Sequence, residues 1–182
     1  MKRKITVLNI ILISFILILS ACSKSNEEKE YDNIVVGTDD LFELKLYVDK
    51  STYAKDEIIF CYATLEYIGE GDSITIYSSD PLLGFGLKDD KYFDGGYIVN
   101  DVLITTTIYK GQTIKYDYAK SGGWSGDDPN AAFYEKFYSD KNLVLPTGKY
   151  EISAAISCSL EMEDSIGSQY SQSVSVFIEV MD

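Results

Sequence analysis

Three cysteines, Cys22, Cys61 and Cys158, are the side chains of this sequence with the widest range of chemistry. A cysteine thiol can be acylated, form a disulfide, bind a metal or act as a nucleophile, and its surroundings decide which.

The sequence contains no histidine. Its absence excludes Cys-His and Ser-His-Asp arrangements as well as histidine-based zinc sites. Because the commonest general base is missing, we expect the protein not to be an enzyme.

Carboxylates are the remaining groups that could act on a substrate or a metal ion. A glycosidase needs two facing acids in a cleft, and no such pair stands out, so a carboxylate-dependent enzyme is only a remaining alternative. Asp89, Asp90 and Asp94 lie near glycines, and Asp127 and Asp128 follow later. These acids loosely suggest calcium, but their spacing is not that of an EF-hand loop. Solvated acidic loops explain them equally well, so we predict no metal site and no cofactor.

The first cysteine, Cys22, follows a basic head and an apolar segment that runs from residue 5 to residue 19. Positive charge, an apolar stretch and small residues before a cleavage site are typical of a secretory signal peptide. The tetrapeptide Leu19-Ser20-Ala21-Cys22 resembles the lipobox of bacterial lipoproteins. This resemblance implies that residues 1–21 are removed and that Cys22 carries a diacylglyceryl group with fatty acids such as palmitate. Two acyl chains would hold the protein stably on the extracytoplasmic face of the cell membrane.

The alternative is an uncleaved membrane anchor with an incidental cysteine. A membrane-spanning helix needs about 20 apolar residues, whereas this stretch is shorter and contains Asn9. The signal-peptide interpretation therefore fits better.

Residues 22–40 are polar and charged, which predicts a flexible tether. The short run Ile34–Val36 could instead form a first strand. Residues 41–182 then make one domain, since no repeat or change of composition divides them. Loss of the three basic leader residues changes the net charge from −13 to −16. Such an acidic surface repels phosphates and excludes nucleic acid as a partner.

Apolar residues alternate with polar ones through most of residues 41–182, which predicts half-buried β-strands. The segments beginning at Leu41, Glu57, Asn142 and Tyr170 show this period of two most clearly. Glycine-rich turns separate them. The pattern predicts an all-β, antiparallel, immunoglobulin-like sandwich of about seven to nine strands.

One short helical insertion is predicted between Asp128 and Asp140, with Asp128 as its N-cap and Pro129 in its first position. Aromatic residues spaced four apart, Phe133 with Phe137 and Tyr134 with Tyr138, would share a face of this helix.

The single tryptophan, Trp124, lies among glycines just before the insertion. It could anchor a partner, since tryptophan is enriched in binding hot spots, or cover the open end of the sandwich. If the domain has a binding loop, we expect it to contain Trp124, Phe133, Tyr134, Phe137 and Tyr138.

Cys61 and Cys158 are both predicted to face inward from their strands. Export to an oxidising compartment would permit a disulfide between them. Two separate buried thiols are the alternative. Cys61 lies early in its strand and Cys158 late in its own, and if the two strands run parallel this offset places the Cα atoms beyond the limit of about 7 Å for a bridge.

The run from Tyr53 to Ile76, followed by Leu145–Ala155, resembles the immunoglobulin-like domains of bacterial surface proteins. More narrowly, Glu57, Leu65 with Tyr67, and Gly148 with Tyr150 resemble the pattern of the intracellular proteinase inhibitor (BsuPI) family. The resemblance implies a sandwich fold and, as an alternative function, proteinase inhibition. Our first expectation is a lipid-anchored, non-enzymatic binding module for a protein or cell-envelope ligand.

Mass spectrometry of the N-terminal peptide of membrane-purified protein tests the anchor. We expect Cys22 to be the first residue and to carry a diacylglyceryl group, because the lipobox-like tetrapeptide precedes it. An unmodified Cys22, or retention of residues 1–21, would contradict this prediction.

Overall fold

The structure, a computed structural model, describes residues 31–162 and 169–182. These residues form ten β-strands and one α-helix, so the predicted count of seven to nine strands is too low. The elements are β1 Asn33–Thr38, β2 Phe42–Val48, β3 Thr52–Ala54, β4 Cys61–Tyr67, β5 Ser73–Asp80, β6 Leu83–Lys88, β7 Asn100–Tyr109, β8 Thr113–Asp117, α1 Ala131–Ser139, β9 Gly148–Ser159 and β10 Gln169–Met181.

The strands form two sheets, which confirms the predicted all-β, immunoglobulin-like sandwich. One sheet has the order β1-β2-β4-β8. The other has the order β3-β10-β9-β5-β7, and β6 also pairs with β9. All pairs between these strands are antiparallel except that of β3 with β10.

The core lies between the two sheets and follows the predicted alternation. Every second residue of β2, from Phe42 to Val48, is completely buried. In β9, Ile152 and Ala154 are equally buried, and in β10 Ile178 is nearly so. Each large apolar side chain removed from water in this way contributes about 1.5–3 kcal/mol. The hydrophobic pattern therefore fixes which face of each strand points inward.

The predicted tether is wrong for part of its length, because residues 33–38 form β1. This strand pairs with β2 along its whole length, from Asn33 opposite Val48 to Thr38 opposite Glu43. Val35 packs against the core, whereas Ile34 is 50% exposed. Backbone pairing to a neighbouring strand therefore orders a segment whose own apolar content is small. Cys22 and residues 23–30 lie outside the described residues.

A buried carboxylate holds the crossing from β2 to β3, where the chain changes sheets. Asp49 is 4% exposed, and its Oδ1 accepts hydrogen bonds from the Tyr53 hydroxyl at 2.5 Å and the Phe60 N–H at 3.0 Å. Burial, followed by this bond to Asp49, raises the pKa of Tyr53 well above its ordinary value. A buried polar group without partners costs about 1–3 kcal/mol, so these bonds make the crossing stable.

Cys61 and Cys158 are both buried, and they are not bridged. Of the two alternatives, the structure therefore has the separate buried thiols and not the disulfide. Cys61 begins β4, just after Ile59, which bridges to Leu143 ahead of β9. Cys158 lies at the other end of β9, so the two thiols belong to different sheets and to opposite ends of the sandwich. Burial raises the pKa of both thiols, that of Cys158 to about 11.

Thiol labelling checks this arrangement in a Cys22→Ser variant. Because a raised pKa keeps both remaining thiols protonated at pH 8, and burial shields them, we expect almost no reaction with a thiol reagent in the folded protein. In urea without reductant, two thiols per chain should react. No reactive thiol in urea would show that Cys61 and Cys158 are bridged after all.

Candidate ligand-binding cleft

A cleft of about 690 Å³ opens at one end of the sandwich. Three segments form its walls: the loop of residues 89–98 after β6, residues 118–123 after β8, and helix α1. The three segments lie at the same end of the sandwich, because β6 and β8 both end at this position and β9 begins at it. Rigid strands thus position irregular segments, an arrangement that commonly carries binding sites.

The wall formed by residues 89–98 folds back tightly over β6. A Cβ atom at Gly86 would lie 2.2 Å from the carbonyl oxygen of Gly95, and one at Gly84 would lie 2.0 Å from the Tyr97 ring. The Gly95 N–H also donates to the Leu87 carbonyl at 2.7 Å. β6 therefore has both faces covered, and its two glycines are needed for the loop to approach it. This finding explains the alternation of large residues and glycine in the sequence.

Asp89 shapes the beginning of the same loop. Its Oδ1 accepts hydrogen bonds from the backbone N–H groups of Lys91, Tyr92 and Phe93 at 3.2, 2.7 and 2.7 Å. Its own N–H donates to the Phe93 carbonyl at 3.0 Å. The carboxylate thus stabilises a turn. In residues 31–162 and 169–182, no group of three acidic or cysteine side chains could hold a metal ion.

Helix α1 begins later than predicted. Its first residue is Ala131 and its N-cap is Asn130, which makes no side-chain capping bond. Asp128 lies ahead of the helix, where its Oδ1 accepts from the Asn130 N–H at 2.7 Å. Asp128 therefore closes a turn that leads into the helix, and Pro129 sits in that turn rather than in the first helical position.

The aromatic face of α1, which was predicted from the four-residue spacing, packs on the loop of residues 89–98. Phe133 stacks on Tyr92 with ring centroids 4.0 Å apart, and Phe137 contacts Phe93 at 4.9 Å. The Tyr134 hydroxyl donates to the Tyr92 carbonyl at 2.6 Å. Tyr92 and Phe93 were not among the predicted binding residues. Two adjacent aromatic residues in an otherwise polar loop are the signal that could have identified them.

The predicted binding residues divide into three environments. Phe137 is 6% exposed and belongs to the core, although its edge reaches the cleft. Tyr134 and Tyr138 line the cleft directly, and Phe133 supports Tyr92 from behind. Trp124 is 41% exposed and stacks in parallel on Tyr138 at 5.4 Å. Trp124 therefore extends the aromatic surface beyond the cleft and does not plug the core.

Close contact between Gly122 and Tyr138 holds this side of the cleft. Gly122 has φ of +147°, a conformation that favours glycine. A Cβ atom there would lie 2.0 Å from the Tyr138 hydroxyl oxygen. Tyr138 can therefore lie against the backbone of residues 121–122 only because Gly122 has no side chain.

The cleft has a negative electrostatic character. Four carboxylates line it, those of Asp89, Asp90, Asp94 and Asp128, and Lys91 is its one basic lining residue. Burial raises the pKa of Tyr134, and the charges of Asp128, Asp89 and Asp94 raise it further in that order. Carboxylates from both sides of the cleft therefore act on the same hydroxyl.

No family model, curated protein or solved structure matches this chain. Membership of the BsuPI family, and with it proteinase inhibition, stays a prediction. Within the described part of the chain, no helix is long and apolar enough to cross a membrane.

Substitution of Gly84 by alanine tests the close packing of the loop on β6. The added methyl group would overlap the Tyr97 ring, so we expect the free energy of unfolding to fall by about 1–3 kcal/mol. Urea denaturation measures the change. The matched control is Gly126→Ala, because a Cβ atom at Gly126 has no atom within 4 Å. Equal stability of the two variants would contradict the packing argument.

Proposed function

We propose that this chain is a non-enzymatic binding module, anchored by a lipid on Cys22, whose cleft holds a protein or cell-envelope ligand. The observation that carries the proposal is the cleft of about 690 Å³ between two loops and α1. Its volume lies in the range of about 300–1,000 Å³ that is common for ligand sites.

The walls of the cleft are fixed by internal contacts, which favours binding because less freedom is lost when a ligand enters. Asp89 orders the first loop, and Gly84 and Gly86 let it pack on β6. On the other side, Lys120 Nζ donates to the carbonyls of Phe137 and Asp140 at 2.5 and 2.8 Å. Because Lys120 neutralises the C-terminal end of α1, it ties the helix to the segment after β8.

Binding is favoured over catalysis by the kinds of polar group that the cleft contains. The sequence supplies no histidine as a general base, and three of the lining carboxylates, Asp89, Asp94 and Asp128, accept backbone hydrogen bonds within their own turns. A general base must instead be free to reach a substrate proton.

A variant that fills the cleft provides the test. Gly123 lines the cleft, and a Cβ atom there would have no atom within 4 Å. Tryptophan at this position should therefore fold normally and occupy the cavity. The matched control is Gly126→Trp, which places the same ring at an equally open glycine outside the cleft lining.

Full-length wild type and both variants, immobilised through the C-terminus, would be incubated with solubilised envelope extract of the host. We expect wild type and Gly126→Trp to retain the same components, and Gly123→Trp to lose at least one of them by about tenfold or more. A Trp124→Ala variant measures the contribution of the neighbouring exposed ring. Equal recovery from all four proteins would remove the cleft and its rim as the binding site.

A further inference from the structure

Two aromatic rings of the cleft already contact ammonium groups of the same chain. Lys91 Nζ lies 4.6 Å from the centroid of the Tyr92 ring, and Lys120 Nζ lies 4.1 Å from that of Phe137. Both rings line the cleft. A cation over the face of a ring is attracted by the negative charge of that face. The contact of Lys91 with Tyr92, both of them lining residues, shows that an ammonium group can reach an aromatic face within the cleft.

Lys120, which contacts Phe137 from outside the cleft lining, shows that the surroundings of this ring tolerate partial removal of an ammonium group from water. Burial lowers the pKa of Lys120, and Asp140 opposes that shift. Carbonyl oxygens of Phe137 and Asp140 compensate for the lost water by accepting its hydrogen bonds. An aromatic ring and backbone oxygens therefore hold an ammonium group beside the cleft, on Phe137, which also lines it.

The lining carboxylates extend this preference across the whole cavity. Asp89, Asp90 and Asp94 come from one wall, and Asp128 comes from the segment that leads into α1. They are dispersed, and no three acids in the described ranges could hold a metal ion. A dispersed negative field around a wide aromatic cavity suits a bulky organic cation better than a small inorganic one.

We propose that the cleft recognises an organic ammonium group, presented by a lysine side chain of a protein or by a free amine, between its aromatic walls and its carboxylates. This inference rests on the proposed function and names the ligand chemistry of the same site. Lys91 is then an internal competitor, since its ammonium group occupies the face of Tyr92.

The experiment titrates the full chain with three small probes and follows the NMR shifts of the Gly122 and Gly123 amides, which lie in the cleft lining. N-acetyl-lysine amide and n-butylammonium each carry one ammonium group, whereas N-acetyl-norleucine amide has the lysine stem without the charge. We expect saturable binding of both ammonium probes and none of the norleucine probe. Tighter binding of the lysine probe assigns the group to a protein source, and equal binding assigns it to a free amine.

Variants test the two parts of the site separately. Asp90→Asn with Asp94→Asn keeps the shape of both side chains and removes two charges, so binding should weaken by about tenfold. Tyr92→Leu should weaken it by about threefold through loss of the ring face. The matched control is Asp101→Asn, an exposed acid on β7 outside the cleft lining, which should change nothing.

Removal of the competing lysine should act in the opposite direction. Lys91→Met leaves the apolar stem and frees the Tyr92 face, so binding of both ammonium probes should become about threefold tighter. Lys141→Met removes an equal charge outside the cleft lining and serves as the control.

Equal binding of the ammonium and norleucine probes, or unchanged binding in the double aspartate variant, would overturn the inference. The proposed function has its own readout in the Gly123→Trp capture experiment. If Gly123→Trp loses an envelope component while no ammonium probe binds, or if a neutral glycan is retained in the cleft, the ammonium inference fails and the binding module stands. If capture is insensitive to Gly123→Trp, the proposed function fails and the inference fails with it.

Discussion

The close approach of the Gly95 carbonyl to Gly86 is the contact on which the cleft depends. A methyl group at Gly86 would come within 2.2 Å of that oxygen, a distance that no packed structure accommodates without displacement. The contact brings the loop down onto β6, and the loop in turn presents Tyr92 and Phe93 to α1. The helix rests on those rings, and its Phe137 also belongs to the core. The geometry of the cavity thus follows from the absence of a side chain at one strand position.

The sandwich supplies the rigidity that this indirect arrangement requires. Its core is formed by large apolar residues in strict alternation, which tolerates no change of register. Among the described residues two polar side chains are buried, Ser78 within β5 and Asp49 at the crossing between sheets, where Asp49 accepts hydrogen bonds from Tyr53 and Phe60. Hydrophobic burial therefore determines how the two sheets pack, and a small number of hydrogen bonds position the segments that connect the strands.

The sequence alone predicted those parts of the fold in which apolar residues recur with a simple period. The inward faces of β2, β4, β9 and β10 and the aromatic face of α1 were predicted correctly, because a single alternation decides them. β1 was foreseen only as an alternative to the tether, and β3 was not predicted, since both strands are ordered by pairing with neighbours along the sheet. The start of α1 was placed too early because Asp128 and Pro129 also suit a turn.

The candidate site was predicted only in part for a related reason. A four-residue spacing revealed Phe133, Tyr134, Phe137 and Tyr138, but it could not show that loop aromatics would meet them. Inward orientation left the disulfide between Cys61 and Cys158 open as one alternative, and their positions at opposite ends of the sandwich exclude it. Local sequence patterns do not predict contacts between segments that are distant in sequence.

The course of β1 determines which way the cleft points. Asn33 lies opposite Val48, Val48 lies opposite Cys61, and the Cys61 carbonyl accepts a hydrogen bond from Tyr118, the first lining residue after β8. The chain therefore enters the sandwich at the end that carries the cavity. Only ten residues separate Asn33 from Cys22, a span of at most about 35 Å. Under the proposal that Cys22 carries a lipid, the anchor would therefore join the domain at the same end as the cavity.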